Sequence, residues 1–137
     1  MVNAKLNALV KVKALYPESS DIDEIDSLVA SGKNRLIDAQ NMSLNIESRF
    51  DLAYNASHSL ALAALRKNGY RSSNRYLVFQ CLEHTLGIPP ERWRVLDTAH
   101  KKRNNAEYEG VFDVSEDLVN SVIKVSKEVL SKLETGE

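Results

Sequence analysis

The sequence predicts an all-α protein, an antiparallel up-and-down bundle of about five or six helices. Apolar residues recur three and four positions apart along most of the 137-residue chain, as they do on one face of an α-helix. Three prolines and five glycines are few for a β-domain with many turns. Because no linker or internal repeat divides the chain, we expect one domain over residues 1–137.

The first two helices are predicted from apolar spacing and from residues that start or stop helices. A stripe of helical period runs over residues 2–15 and stops at Tyr16-Pro17, because proline cannot continue a helix. Ser20 or Asp21 is placed to cap a second helix, with acidic residues in its first turn. Gly32 is expected to interrupt that helix before its apolar pattern resumes.

The third helix is the clearest in the chain. Its apolar and small residues keep three- and four-residue spacing over residues 46–65, and Ser43 or Asn45 can cap it. Asn68-Gly69 is typical of a left-handed helix end. A fourth helix, capped by a residue in the segment 72–74, should end at Gly87.

Two more helices complete the predicted bundle. Pro90 suits the first turn of a fifth helix that extends to about Glu109-Gly110. Ser115 can cap a sixth, whose apolar residues alternate three and four apart as in a heptad seam. Ten core positions follow from these patterns: Phe50, Ala53, Tyr54, Leu60, Leu65, Phe79, Leu82, Leu96, Val122 and Leu130.

Composition narrows the class of protein. A single cysteine cannot form an internal disulfide, and the N-terminus lacks a secretory signal pattern, so we expect a cytoplasmic protein. No apolar stretch is long enough to span a membrane. Cys81 and His84 alone do not make a structural zinc site, and we expect no metal ion and no cofactor.

Charge is balanced overall but unevenly distributed. The net charge of −1 excludes a histone-like nucleic-acid coat, whereas residues 92–103 carry a local charge of +4 and residues 107–117 a local charge of −5. Two interpretations stay open, solvated helix faces with paired charges or a groove that binds phosphate. The candidate RNA-binding residues are Arg71, Arg92, Arg94, Lys101 and Lys102.

A polar face is predicted within the segment 99–110. At about 100° per residue, His100, Arg103, Asn104 and Glu107 share one face of a helix. Imidazole can transfer protons near neutral pH, and guanidinium can bind phosphate through two parallel hydrogen bonds. The alternative is an exposed ion pair between Arg103 and Glu107 that contributes only about 0.2–0.5 kcal/mol.

These residues carry a resemblance to the HEPN superfamily, small helical bundles of prokaryotic toxin–antitoxin and defence systems. The stretch from Ser48-Arg49-Phe50 to Gly69-Tyr70-Arg71 resembles the family's long alanine-rich helix, and residues 75–87 resemble the helix that follows it. Arg103-Asn104 resembles the opening of the family's Arg-polar-…-His motif. The resemblance covers about residues 22–134 and implies a metal-independent endoribonuclease or RNA-binding protein that forms a homodimer with two facing motifs.

One position departs from the family pattern. Tyr108 stands where nuclease members most often have the motif histidine. The resemblance implies that Arg103 binds phosphate, that Asn104 orients it, and that Tyr108 or His100 takes part in proton transfer. Five residues rotate a regular helix by about 500°, so Arg103 and Tyr108 point about 140° apart. Either the helix deforms or a dimer completes the site.

Alternatives to an active nuclease stay open at this point. The protein can be a catalytically degenerate RNA-binding member of the family. It can also be a non-catalytic partner of a small nucleotidyltransferase antitoxin, since such enzymes in known pairs modify a tyrosine in the motif region, here Tyr108. A third alternative is a bundle that only mediates protein assembly.

Overall fold

The computed structural model describes residues 3–12 and 14–136, and it confirms the all-α helical bundle. Two-residue strands β1 and β2 form the only β-structure in the described residues. The strands are Tyr16–Pro17 (β1) and Tyr70–Arg71 (β2), and the helices are Ala4–Lys11 (α1), Ile22–Ala39 (α2), Ile46–Lys67 (α3), Arg75–Gln80 (α4), Leu82–Thr85 (α5), Pro90–Glu109 (α6) and Glu116–Thr135 (α7).

The N-terminal helix is shorter than the apolar stripe over residues 2–15 predicts. The Asn3 side chain accepts hydrogen bonds from the first turn of α1, which ends at Lys11. Ala14 and Leu15 then donate their backbone N–H groups to the carbonyl of Leu9, so the chain turns back instead of continuing the helix. Residues 2 and 13 of the predicted helix lie outside the described residues. Beyond the turn, β1 pairs antiparallel with β2.

Gly32 does not interrupt α2, contrary to the prediction. The helix continues to Ala39 because Gly32 is the point where α2 approaches α3 most tightly around Leu60. A β-carbon at position 32 would lie 2.6 Å from Leu60 Cγ and 3.3 Å from the carbonyl oxygen of Ala56. The missing side chain therefore serves helix packing, whereas the sequence suggested a helix break.

The predicted caps account for most other helix ends. Asp21, Asn74 and Ser115 accept backbone hydrogen bonds at the starts of α2, α4 and α7. Pro90 occupies the first turn of α6, and Gly110 ends that helix in the left-handed conformation. The predicted fourth helix is divided at Cys81 into α4 and α5.

Helix α3 is the centre of the core. Twelve of its 22 residues are buried, and it contacts α2, α4, α5, α6, α7 and β2. All ten predicted core residues lie in the core or pack against it; nine are buried, and Leu130 is partly buried. None of the helices formed by residues 3–12 and 14–136 is long and apolar enough to cross a membrane.

Two arginines of α3 are buried, which the apolar pattern did not predict. Arg49 donates to the carbonyl of Ala39 and pairs with Glu116 of α7. Arg66, 1% exposed, donates to the carbonyls of Glu18 and Ser19, which precede α2, and to the carboxylate of Glu24 in the first turn of α2. Both guanidinium groups satisfy the rule that a buried charge needs a partner and hydrogen bonds.

Candidate functional site

The candidate site is built around the polar end of Tyr54, a residue of α3. The Tyr54 side chain is 0% exposed, yet its hydroxyl oxygen lies 2.9 Å from Nδ1 of His100 on α6. Arg75, the first residue of α4, donates from Nη1 to the same hydroxyl at 3.3 Å. Three helices thus converge on one buried phenol.

Two guanidinium groups flank the Tyr54 ring. Arg103 Cζ lies 5.3 Å from the ring centroid and Arg75 Cζ lies 5.6 Å from it, within the range of a cation–π interaction. Both arginines are partly exposed. The aromatic ring therefore contacts two positively charged groups, and solvent can reach both of them.

Asn104 and Glu107 extend this cluster along α6. Asn104 Nδ2 lies 3.4 Å from His100 Nε2, and Arg103 Nη1 lies 3.3 Å from Glu107 Oε2. The structure thus places His100, Arg103, Asn104 and Glu107 on the connected patch that helical geometry predicted. It also shows that the Arg103–Glu107 ion pair, the alternative interpretation, coexists with the Tyr54 contacts.

Arg103 also borders an open pocket of about 370 Å³. The polar residues of the pocket wall include Asp51 and Asn55 from α3, together with Glu107. Partial burial raises the pKa of Asp51, and the charge of Arg103 opposes that increase. A ligand in this pocket would meet the guanidinium of Arg103 together with the carboxylates of Asp51 and Glu107.

The two histidines near the arginines are held in the neutral form. Burial, together with the smaller effects of the charges of Arg75, His100 and Arg103, lowers the pKa of His58 from 6.5 to about 4. Burial also lowers the pKa of His100, assisted by Arg75 and Arg103 and opposed by Asp97. Positive charge at neutral pH therefore comes from the arginines.

Sequence reasoning missed Tyr54, His58 and Arg75 as site residues. Tyr54 was placed in the core on its spacing, which is correct for its ring. His58 follows Tyr54 by four positions on α3, so the two share a helix face, and this spacing was an available signal. Arg75 lies at the end of a basic stretch, residues 66–75, that contains no acidic residue, but this composition does not select one residue of the stretch.

Tyr108 lies apart from the cluster. Helix α6 continues to Glu109 without the deformation considered above, and the Tyr108 side chain is 79% exposed. Within one protomer, Arg103 and Tyr108 therefore do not converge. The role of Tyr108 in proton transfer stays a prediction that depends on a second subunit.

Four of the five predicted RNA-binding residues form ion pairs. These pairs join Arg71 to Glu18 and Glu24, Arg92 to Glu128, Lys101 to Asp97 and Lys102 to Asp113. The fifth, Arg94, lies over the ring of Trp93, with Cζ 5.6 Å from the centroid. The local charge of +4 is thus partly offset by acids from other elements, and the positive charge that faces the site comes from Arg75 and Arg103.

Comparisons with family models, curated proteins and solved structures find no match to this chain.

Proposed function

We propose that this chain is a HEPN-like cytoplasmic protein that binds RNA and cleaves it without a metal ion, as part of a toxin–antitoxin or defence system. Its site is the arginine–histidine cluster, which we define as Tyr54, His58, Arg75, His100, Arg103 and Asn104. The observation that carries the proposal is the placement of Arg75 and Arg103 over one buried tyrosine whose hydroxyl contacts His100.

The chemistry of the cluster suits a phosphodiester. Two guanidinium groups over one aromatic ring can bind phosphate oxygens through charge-assisted hydrogen bonds, and they favour the extra negative charge that develops during phosphoryl transfer. Asn104 and His100 add neutral polar groups beside Arg103. Glu107, which pairs with Arg103, would be displaced by an incoming phosphate because the pair is half-exposed and weak.

The proposal includes a homodimer in which two Arg103 side chains face one shared cleft. An isologous interface brings each motif opposite its copy, so Tyr108 of one subunit can approach Arg103 of the other. Arg103 and Tyr108 point in different directions on the regular helix α6, and such a dimer would still allow both residues to belong to one site. Light scattering at micromolar concentration measures the mass of the protein in solution. If the protein is a monomer, Tyr108 cannot belong to the site.

The test of nuclease function uses purified protein and total RNA, with and without a chelator. We expect cleavage that persists in the chelator and is lost in Arg103→Ala. Arg35→Ala is the matched control, because Arg35 is an exposed arginine on α2, away from the cluster. Loss of cleavage in the chelator would refute the metal-independent mechanism, and equal cleavage by both variants would refute the site.

A second candidate function is favoured by the exposure of Tyr108. Its side chain is 79% exposed and stands between Glu107 and Glu109, where a partner enzyme can reach it. We propose as the alternative that a small nucleotidyltransferase antitoxin modifies this phenol. Co-expression with such an enzyme should add the mass of a nucleotide to the wild-type chain and not to Tyr108→Phe. An unchanged wild-type mass would count against this alternative.

A further inference from the structure

The buried Tyr54 hydroxyl determines which nitrogen of His100 carries the proton. A phenol has one proton to donate, and Arg75, which contacts the hydroxyl at 3.3 Å, has only donors to offer. Among the described residues, His100 Nδ1 at 2.9 Å is the acceptor within hydrogen-bonding distance of this hydroxyl. Because Tyr54 is 0% exposed, water does not replace that acceptor. The hydroxyl therefore donates to Nδ1.

An imidazole that accepts at Nδ1 and is neutral carries its proton at Nε2. The opposite tautomer would present an N–H to the hydroxyl and leave the phenolic proton buried without an acceptor, which is costly. A doubly protonated imidazole would create the same conflict beside two arginines. The Tyr54–Arg75 pair thus selects one of the three protonation states of His100.

The neighbour on the other side of the ring can adapt to this state. Asn104 Nδ2 lies 3.4 Å from Nε2, and a half-turn of the amide group brings its oxygen to the same place, since the two ends of an amide have nearly the same shape. With a proton on Nε2, Asn104 presents its oxygen. At 3.4 Å this hydrogen bond is weak, so an incoming oxyanion can replace it.

We propose that Tyr54 and Arg75 are positioning residues that fix His100 as a neutral Nε2–H donor to a phosphate oxygen bound by Arg103. This inference rests on the proposed function for the source of the phosphate, an RNA backbone. It gives His100 a different role from proton acceptor, because its Nδ1 lone pair is used by Tyr54 and its Nε2 already carries a proton. His100 would then contribute to binding and charge stabilisation.

The protonation state of His100 can be read directly by long-range ¹H–¹⁵N correlation spectra of histidine-labelled protein. We expect the Nε2–H tautomer in the wild type and a mixture of both tautomers in Tyr54→Phe. Tyr70→Phe is the matched control, because it removes another buried phenol hydroxyl, one that donates to Asn7 away from the cluster. An Nδ1–H tautomer in the wild type, or an unchanged tautomer in Tyr54→Phe, would overturn the inference.

The donor role is tested by titrating the same sample with inorganic phosphate and with a short single-stranded RNA. We expect both to shift the His100 Nε2–H resonance, and Arg103→Ala to abolish the shifts. A correct tautomer whose resonance neither ligand moves would overturn the donor role. A shift with phosphate but none with RNA would refute the RNA function and support the donor role. Normal RNA binding by a protein whose His100 is the Nδ1–H tautomer would support the RNA function and refute the donor role.

Discussion

Replacing Arg66 by methionine removes a 1%-exposed guanidinium that joins the end of α3 to the first turn of α2 and to the segment before it. Its Nε donates to Glu24 Oε1 at 2.7 Å, and its two terminal nitrogens donate to the carbonyls of Glu18 at 2.8 Å and Ser19 at 2.6 Å. Removing one partner of a buried ion pair costs about 3–5 kcal/mol. Arg71 still pairs with both Glu18 and Glu24, and Ser19 is exposed to water, so we expect the lower end, about 3 kcal/mol.

Thermal unfolding followed by circular dichroism measures this loss. For a chain of this length, about 3 kcal/mol corresponds to a decrease in Tm of roughly 10 °C. Arg35→Met is the control, since it removes an exposed arginine from α2 and should stay within about 0.5 kcal/mol of the wild type. If Arg66→Met has the same Tm as Arg35→Met, then the guanidinium contacts do not stabilise the fold and the account of the buried arginines is wrong.

Three further predictions concern packing and charge. Gly32→Ala should destabilise the protein, because overpacking against Leu60 costs about 1–3 kcal/mol and outweighs the gain in helix propensity of about 1 kcal/mol. A higher Tm in the variant would contradict the close approach of α2 to α3 at Gly32. Phe79→Ala or Leu82→Ala should each cost about 2–5 kcal/mol in urea denaturation, and an unmoved midpoint would show that the helices α4 and α5 pack differently. Since the pKa of His58 is lowered from 6.5 to about 4, the unfolded chain takes up a proton in that range before the folded one does, and stability should fall as pH decreases from 6.5 to 4. His58→Gln should flatten this pH dependence, and an equally steep dependence in the variant would exclude His58 as its source.

Periodicity and capping residues predicted the long helices because those signals are local. Asp21, Pro90 and Ser115 mark helix starts through hydrogen bonds or backbone angles that do not depend on the rest of the fold. Gly32 was misinterpreted because its reason is tertiary, the approach of Leu60 from another helix. The buried Arg66 was missed for the same reason, since its acceptors come from a distant segment.

The candidate site was only partly predictable for a related reason. His100, Arg103 and Asn104 lie on one helix, so their shared face follows from helical geometry alone. Tyr54 and Arg75 come from α3 and α4, and only the packing of those helices against α6 brings them to His100. Neither charge nor residue spacing in the sequence shows that a tyrosine whose ring is buried in the core has its hydroxyl group in a polar site.

The central claim is that RNA binds at the arginine–histidine cluster, and the affinity for a short single-stranded RNA tests it most directly. Fluorescence anisotropy at fixed salt would compare the wild type with Arg103→Ala and Arg35→Ala. A hydrogen bond to a charged group contributes about 1.5–3 kcal/mol, so we expect Arg103→Ala to bind roughly ten- to a hundredfold more weakly while Arg35→Ala binds as the wild type does. Equal affinities for all three proteins, or no binding by the wild type, would contradict the account.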